Sequence, residues 1–100
     1  MAKRVVWTDR AKKSRKDILE YWAERTGSKN YPKKLSRLFR EKTRLLSVEH
    51  YVGRQTNFKD VRVSLVEHFS VFYKINEKEI TIVGIWDNRR NPDDLKKNIG

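Results

Sequence analysis

The chain has 100 residues, no cysteine, and 24 Lys and Arg against 13 Asp and Glu, a formal net charge of +11. That length suits one domain rather than several, and the absent cysteines exclude a disulfide framework, a thiolate zinc site and a Cys nucleophile. Hydrophobic residues make up 37% and aromatic residues 11%, so low-complexity disorder is excluded and a small core of large side chains can form.

Residues 3–8 read as a short strand, with Val5 and Trp7 on one face and Val6 on the other. Thr8 or Asp9 can accept hydrogen bonds from the free N–H groups at the start of a helix. That helix places Ala11, Ile18, Leu19 and Trp22 at helical spacing, runs to about Thr26, and stops at Gly27, suited to a left-handed cap. Ser28 or Asn30 starts a second helix with Pro32 in its first turn, where a missing N–H does no harm. Its apolar stripe is Leu35, Leu38, Phe39, Leu45 and Leu46, with Lys33, Lys34, Arg37, Arg40 and Arg44 mostly on the other side. The short link makes residues 9–48 an antiparallel helix hairpin.

From residue 60 the period changes to two. Residues 60–66 alternate Val61, Val63 and Leu65 against Arg62 and Ser64, and Glu67-His68 forms a tight corner. Residues 69–75 follow with Phe69, Val71, Tyr73 and Ile75 on one face and Ser70, Phe72 and Lys74 on the other. Residues 76–79 read as a turn. Residues 80–86 are apolar on both faces, with Ile80, Ile82 and Trp86 set against Val83 and Ile85, as expected of an interior strand. Residues 52–58 read as loop or a short edge strand. The polar stretch from Asp87 to Pro92 is an exit loop, and residues 92–98 allow a helical turn.

The expected fold is therefore α+β, a single domain over residues 1–100. An N-terminal strand leads into a two-helix hairpin packed on one face of a mostly antiparallel four-stranded sheet, whose other face stays partly open. With no apolar run of about 18 residues and no signal-peptide pattern, the expected location is the cytoplasm, with no membrane partner.

The charge is asymmetric. Residues 1–44 hold 15 Lys and Arg against 5 Asp and Glu, and residues 45–100 hold 9 against 8. A field of that kind speeds encounter with polyanions and acidic proteins, which makes Lys12, Lys13, Arg15, Lys16, Lys33, Lys34 and Arg37 candidate nucleic-acid contacts.

No glycine-rich phosphate loop, metal-spaced histidine pair or nucleophile elbow is present, and no cofactor or metal is expected. His50 and His68 lack an orienting partner in the sequence, so each is read as structural or solvent-facing. Arg62, opposite Val61, Val63 and Leu65, is expected on the open sheet face, where a guanidinium can clamp a phosphate. Arg89 and Arg90 follow the last strand at its rim, and Arg54 and Lys59 flank the approach. The plainer alternative pairs Arg62 with Glu67.

Taken together, Val5-Val6-Trp7-Thr8, the hairpin, Gly53-Arg54, Val61-Arg62-Val63, the strand from Phe69 to Ile75 and the ending Asp87-Asn88-Arg89-Arg90-Asn91-Pro92 resemble the RelE/ParE superfamily of bacterial toxins, over nearly the whole chain. The resemblance implies the toxin of a type II toxin–antitoxin module, neutralised by a cognate antitoxin. RelE-like members cut mRNA on the ribosome, whereas ParE-like members poison DNA gyrase without being nucleases. In the RelE-like branch, arginines corresponding to Arg62 and to Arg89 or Arg90 serve the scissile phosphate. This chain departs from that branch in having no Tyr or His after Trp86. The tail stands closer to ParE-like members, while the basic hairpin suits ribosomal RNA.

Three readings result. The first is a ribosome-dependent mRNA endonuclease using Arg62, Arg89 and Arg90 as catalytic groups. The second is a non-catalytic gyrase inhibitor, and the third a basic nucleic-acid-binding domain without toxicity. Because Phe69, Val71 and Tyr73 read as core, no exposed aromatic platform is expected for stacking single strands.

Overall fold

The computed structural model describes residues 2–89. β1 (Arg4–Trp7) leads into α1 (Asp9–Thr26) and α2 (Asn30–Val48), followed by β2 (Arg54–Gln55), β3 (Arg62–Val66), β4 (Phe69–Ile75) and β5 (Glu79–Asp87). The strands form one sheet in the order β1-β5-β4-β3-β2. β1 runs parallel to β5 and the other neighbours are antiparallel. To the four strands expected, residues 54–55 add a two-residue edge strand. β5, apolar on both faces, is interior. None of the helices described is long and apolar enough to cross a membrane.

Local chemistry accounts for the hairpin. Thr8 Oγ1 accepts a hydrogen bond from Ala11 N at 3.1 Å and caps α1. Gly27 ends it at φ 65°, a conformation that costs glycine nothing. Pro32 lies in the first turn of α2, whose buried residues Pro32, Leu35, Phe39, Thr43 and Leu46 recur at helical spacing. The main core lies between hairpin and sheet, where Leu35, Phe39 and Leu46 meet Phe69, Val71, Tyr73, Ile80 and Ile82, with Val5 and Trp7 against them.

Two features overturn the expected faces. β3 presents Ser64 and Val66, not Val61, Val63 and Leu65, to the hairpin: Ser64 and Val66 are buried, while Leu65 is 53% exposed on the far side. The two-residue corner causes this. It sets Val66 opposite Phe69 and Arg62 opposite Tyr73, and directly opposed residues share a face. Arg62 thus points to the hairpin side.

The second feature is a bulge. Phe72 pairs with Gly84 but Tyr73 with Ile82, leaving Val83 as the extra residue. The alternation shifts by one, so Ile80, Ile82 and Ile85 face the hairpin and Trp86 does not. On the far face Trp86 joins Val61 and Phe72, all buried, with Phe58, Val63 and Val83 packed around them. The face expected to be open carries its own small core.

Candidate functional site

The loop that follows α2 brings the tyrosine and one arginine of the resemblance together. Tyr73, fully buried, accepts a hydrogen bond from Gly53 N at 3.0 Å and donates one to the His50 carbonyl at 2.9 Å. A Cβ on residue 53 would lie 2.5 Å from Tyr73 Oη and 2.6 Å from the Val63 carbonyl, so only glycine fits. Arg62 donates to the Gly53 carbonyl from Nη2 at 2.7 Å and from Nε at 3.1 Å, and from Nη2 to the Tyr51 carbonyl at 3.3 Å. Its guanidinium also lies over the Tyr51 ring, 5.2 Å from the centroid. Glu67, the alternative partner, pairs with Lys34 instead, at 3.4 Å.

Arg89 sits elsewhere. It forms a two-pronged pair with Asp87, Nε to Oδ1 at 3.0 Å and Nη2 to Oδ2 at 2.7 Å, and its own N–H adds a third bond to Oδ1. The guanidinium stacks 4.7 Å from the Trp22 ring centroid. The hydrogen bonds from Arg89 hold the Asp87 carboxyl below the usual carboxylate range, and Asp87 in turn raises Arg89. Nearby, burial raises the Tyr31 phenol, with Glu67 adding to the shift. His68 packs 4.7 Å from Phe69 and 6.2 Å from Trp22 by ring centroids, and its buried Nε2 makes no hydrogen bond among the described residues.

The expected convergence of arginines is therefore not what the fold produces. Arg62 lies opposite Tyr73, and Asp87, the partner of Arg89, lies opposite Phe69. Four residues of strand separate these positions, roughly 13 Å at about 3.3 Å per residue. The two groups line different depressions. One, of about 690 Å³, includes Arg62, Lys59, Lys74 and Phe58. The other, of about 330 Å³, includes Arg89, Arg25, Trp22 and Tyr21. Strand polarity causes the separation, because Arg62 opens β3 and Arg89 follows β5 at the other end of β4. Arg90 and residues 92–98 lie outside the described residues.

Arg54 is exposed on the edge strand β2, and Lys59 and Lys74 line a depression of about 420 Å³ together with Arg10. The cations of the hairpin divide sharply. On α1, Lys13 pairs with Asp17 at 2.8 Å, which raises the Lys13 ammonium, Lys16 approaches Glu20 at 3.9 Å, and Arg15 stacks 4.3 Å from the Trp7 ring centroid. On α2, Lys34 pairs with Glu67, and Arg37 comes within 3.8 Å of Glu41. Lys33, Arg40 and Arg44 are exposed and make no ion pair among the described residues. Arg40 and Arg44 were not singled out as contacts from the sequence, although their four-residue spacing was the available signal. No group of three or more His, Asp or Glu among the described residues is placed to hold a metal ion.

Comparison with known proteins agrees with this architecture. A solved structure described as the chromosomal ParDE TA system from P. aeruginosa superposes with a TM-score of 0.76 at 22% identity, covering 86% of this chain and 96% of that one. That likeness concerns the fold. No curated protein matches the chain. Residues 5–92 match the family described as the ParE toxin of the type II toxin-antitoxin system, parDE. Because that match takes in β1, the hairpin and the whole sheet, the chain belongs to the ParE toxin family of type II toxin–antitoxin modules.

Proposed function

We propose that this ParE-type toxin arrests growth in the cytoplasm by acting on DNA gyrase, as a single non-catalytic domain restrained by its cognate antitoxin. One observation carries the choice against RNA cleavage: the Arg62 guanidinium is spent on the carbonyls of Gly53 and Tyr51. Stabilising a phosphorane-like state needs donors aimed at the reacting phosphate. Here Arg62 and Arg89 have internal acceptors at opposite ends of β4, and no Tyr or His follows Trp86 in the chain. Binding a protein target asks for neither. The antitoxin of such a module is expected to carry an acidic, partly amphipathic segment that complements the basic hairpin.

Induction without the antitoxin is expected to stop growth, accumulate gyrase–DNA cleavage complexes and leave transcripts intact. New mRNA 5′ ends appearing by primer extension soon after induction, with no cleavage complexes, would reverse the assignment. The second reading, a ribosome-dependent mRNA endonuclease, keeps its support from the cationic α2, which suits an RNA surface. Unimpaired growth at clear expression would remove both.

A further inference from the structure

Lys33, Arg37, Arg40 and Arg44 follow one another on α2 at intervals of four, three and four residues. At about 100° per residue they occupy a sector roughly 60° wide, and at about 1.5 Å rise they span roughly 16 Å. All four are exposed, and they turn away from the buried stripe of Pro32, Leu35, Phe39, Thr43 and Leu46. Lys29, also exposed, continues the row just before the helix. Among the described residues only Arg37 has an acid at hand, the exposed Glu41 at 3.8 Å. Adjacent members repel one another, as like charges do at this spacing. α1 handles its cations differently: it holds six against four acids, with Lys13 and Lys16 each beside a carboxylate. α2 holds six cations against one acid. The field noted in the first half of the chain is thus densest along this line.

We infer that this line is a docking rail for the phosphate backbone of duplex DNA, bound without sequence preference. Its shape fits a rod of regularly spaced anions, since a duplex offers one charge per about 1.7 Å of axis. Three of the four side chains are arginines, whose planar forks hold phosphate oxygens in pairs. No aromatic side chain stands in the row, so unpaired bases find no platform there and the double strand is the better ligand. The rail is independent of the enzyme that the toxin poisons, because DNA binding by the purified chain needs neither gyrase nor ribosome.

The test is fluorescence anisotropy of a labelled duplex of arbitrary sequence, titrated with the full chain from about 50 to about 200 mM salt. Each phosphate contact contributes about 0.9 to the slope of log K against log salt, so Arg40→Gln with Arg44→Gln should lower its magnitude by about 1.8. Arg40→Lys with Arg44→Lys should keep it. Lys13→Gln with Lys16→Gln removes the same charge from α1 and should leave the slope nearly unchanged. Both sites are exposed, and far-UV circular dichroism checks that each variant is folded. No duplex binding by the parent chain, or equal losses from the α1 and α2 variants, would overturn the rail. So would tighter binding of a single-stranded RNA of the same length.

Discussion

The Arg62 guanidinium closes on the carbonyl oxygen of Gly53 with two hydrogen bonds, 2.7 Å from Nη2 and 3.1 Å from Nε. The same glycine donates its N–H to Tyr73. Gly53, Arg62 and Tyr73, three residues through which the chain resembles its superfamily, thus form one node that ties the end of α2 to β3 and β4. At this place a mark of kinship is a packing device.

Gly53→Ala is expected to destabilise the fold by about 1–3 kcal/mol, the range for forcing an extra methyl into a filled site. The added Cβ would meet both Tyr73 Oη and a backbone carbonyl that cannot swing aside. Urea unfolding of the two proteins measures the difference, and equal midpoints would show that the loop relaxes freely.

Arg62→Ala is expected to cost stability, about 1–2 kcal/mol, since charged hydrogen bonds contribute about 1.5–3 kcal/mol when buried and this one is half-exposed. Toxicity should fall only as far as folded protein falls. A variant that keeps full stability and loses all toxicity would make Arg62 a target-facing group instead.

Removing Trp86 tests the far face. Trp86→Ala should cost about 3–5 kcal/mol, as for a large aromatic taken from a core, because it packs with Val61 and Phe72. Leu65→Ser, on the same face but 53% exposed, should stay within about 0.5 kcal/mol. Thermal or denaturant melts of the pair discriminate a covered face from an open one.

The Asp87–Arg89 pair makes stability depend on acid. Folding lowers the Asp87 carboxyl below its ordinary value of 3.8, so its stabilisation is fully present above that pH and is lost as pH falls through the folded value. Asp87→Asn should therefore be less stable than the parent at neutral pH and converge with it in strong acid. Urea midpoints taken from neutral pH down to about pH 2 measure this, and parallel curves would count against the pair.

Much of the architecture was readable in advance because its causes are local. Thr8 as a cap, Gly27 as a left-handed stop, Pro32 in a first turn and the apolar stripe of α2 each act within a few residues, so order and type of the elements follow from the chain itself. The faces of the sheet were not readable from alternation alone. Val61, Val63 and Leu65 looked inward because they are apolar, yet the corner at Glu67-His68 binds Val66 to Phe69 and turns Arg62 with Tyr73. That register could have been worked out from the two-residue turn. The bulge at Val83, which sends Trp86 to the far side, has no comparable local mark.

The sequence by itself determined a basic α+β domain with a cationic helix hairpin, since composition and short-range periodicity survive any packing. Tertiary structure alone decided where the arginines of the sheet are spent. Strand polarity parted Arg62 from Arg89 and gave each an internal acceptor, because contacts between distant segments depend on distances in space, whereas the acids one turn from Lys13 and Lys16 follow from spacing within α1.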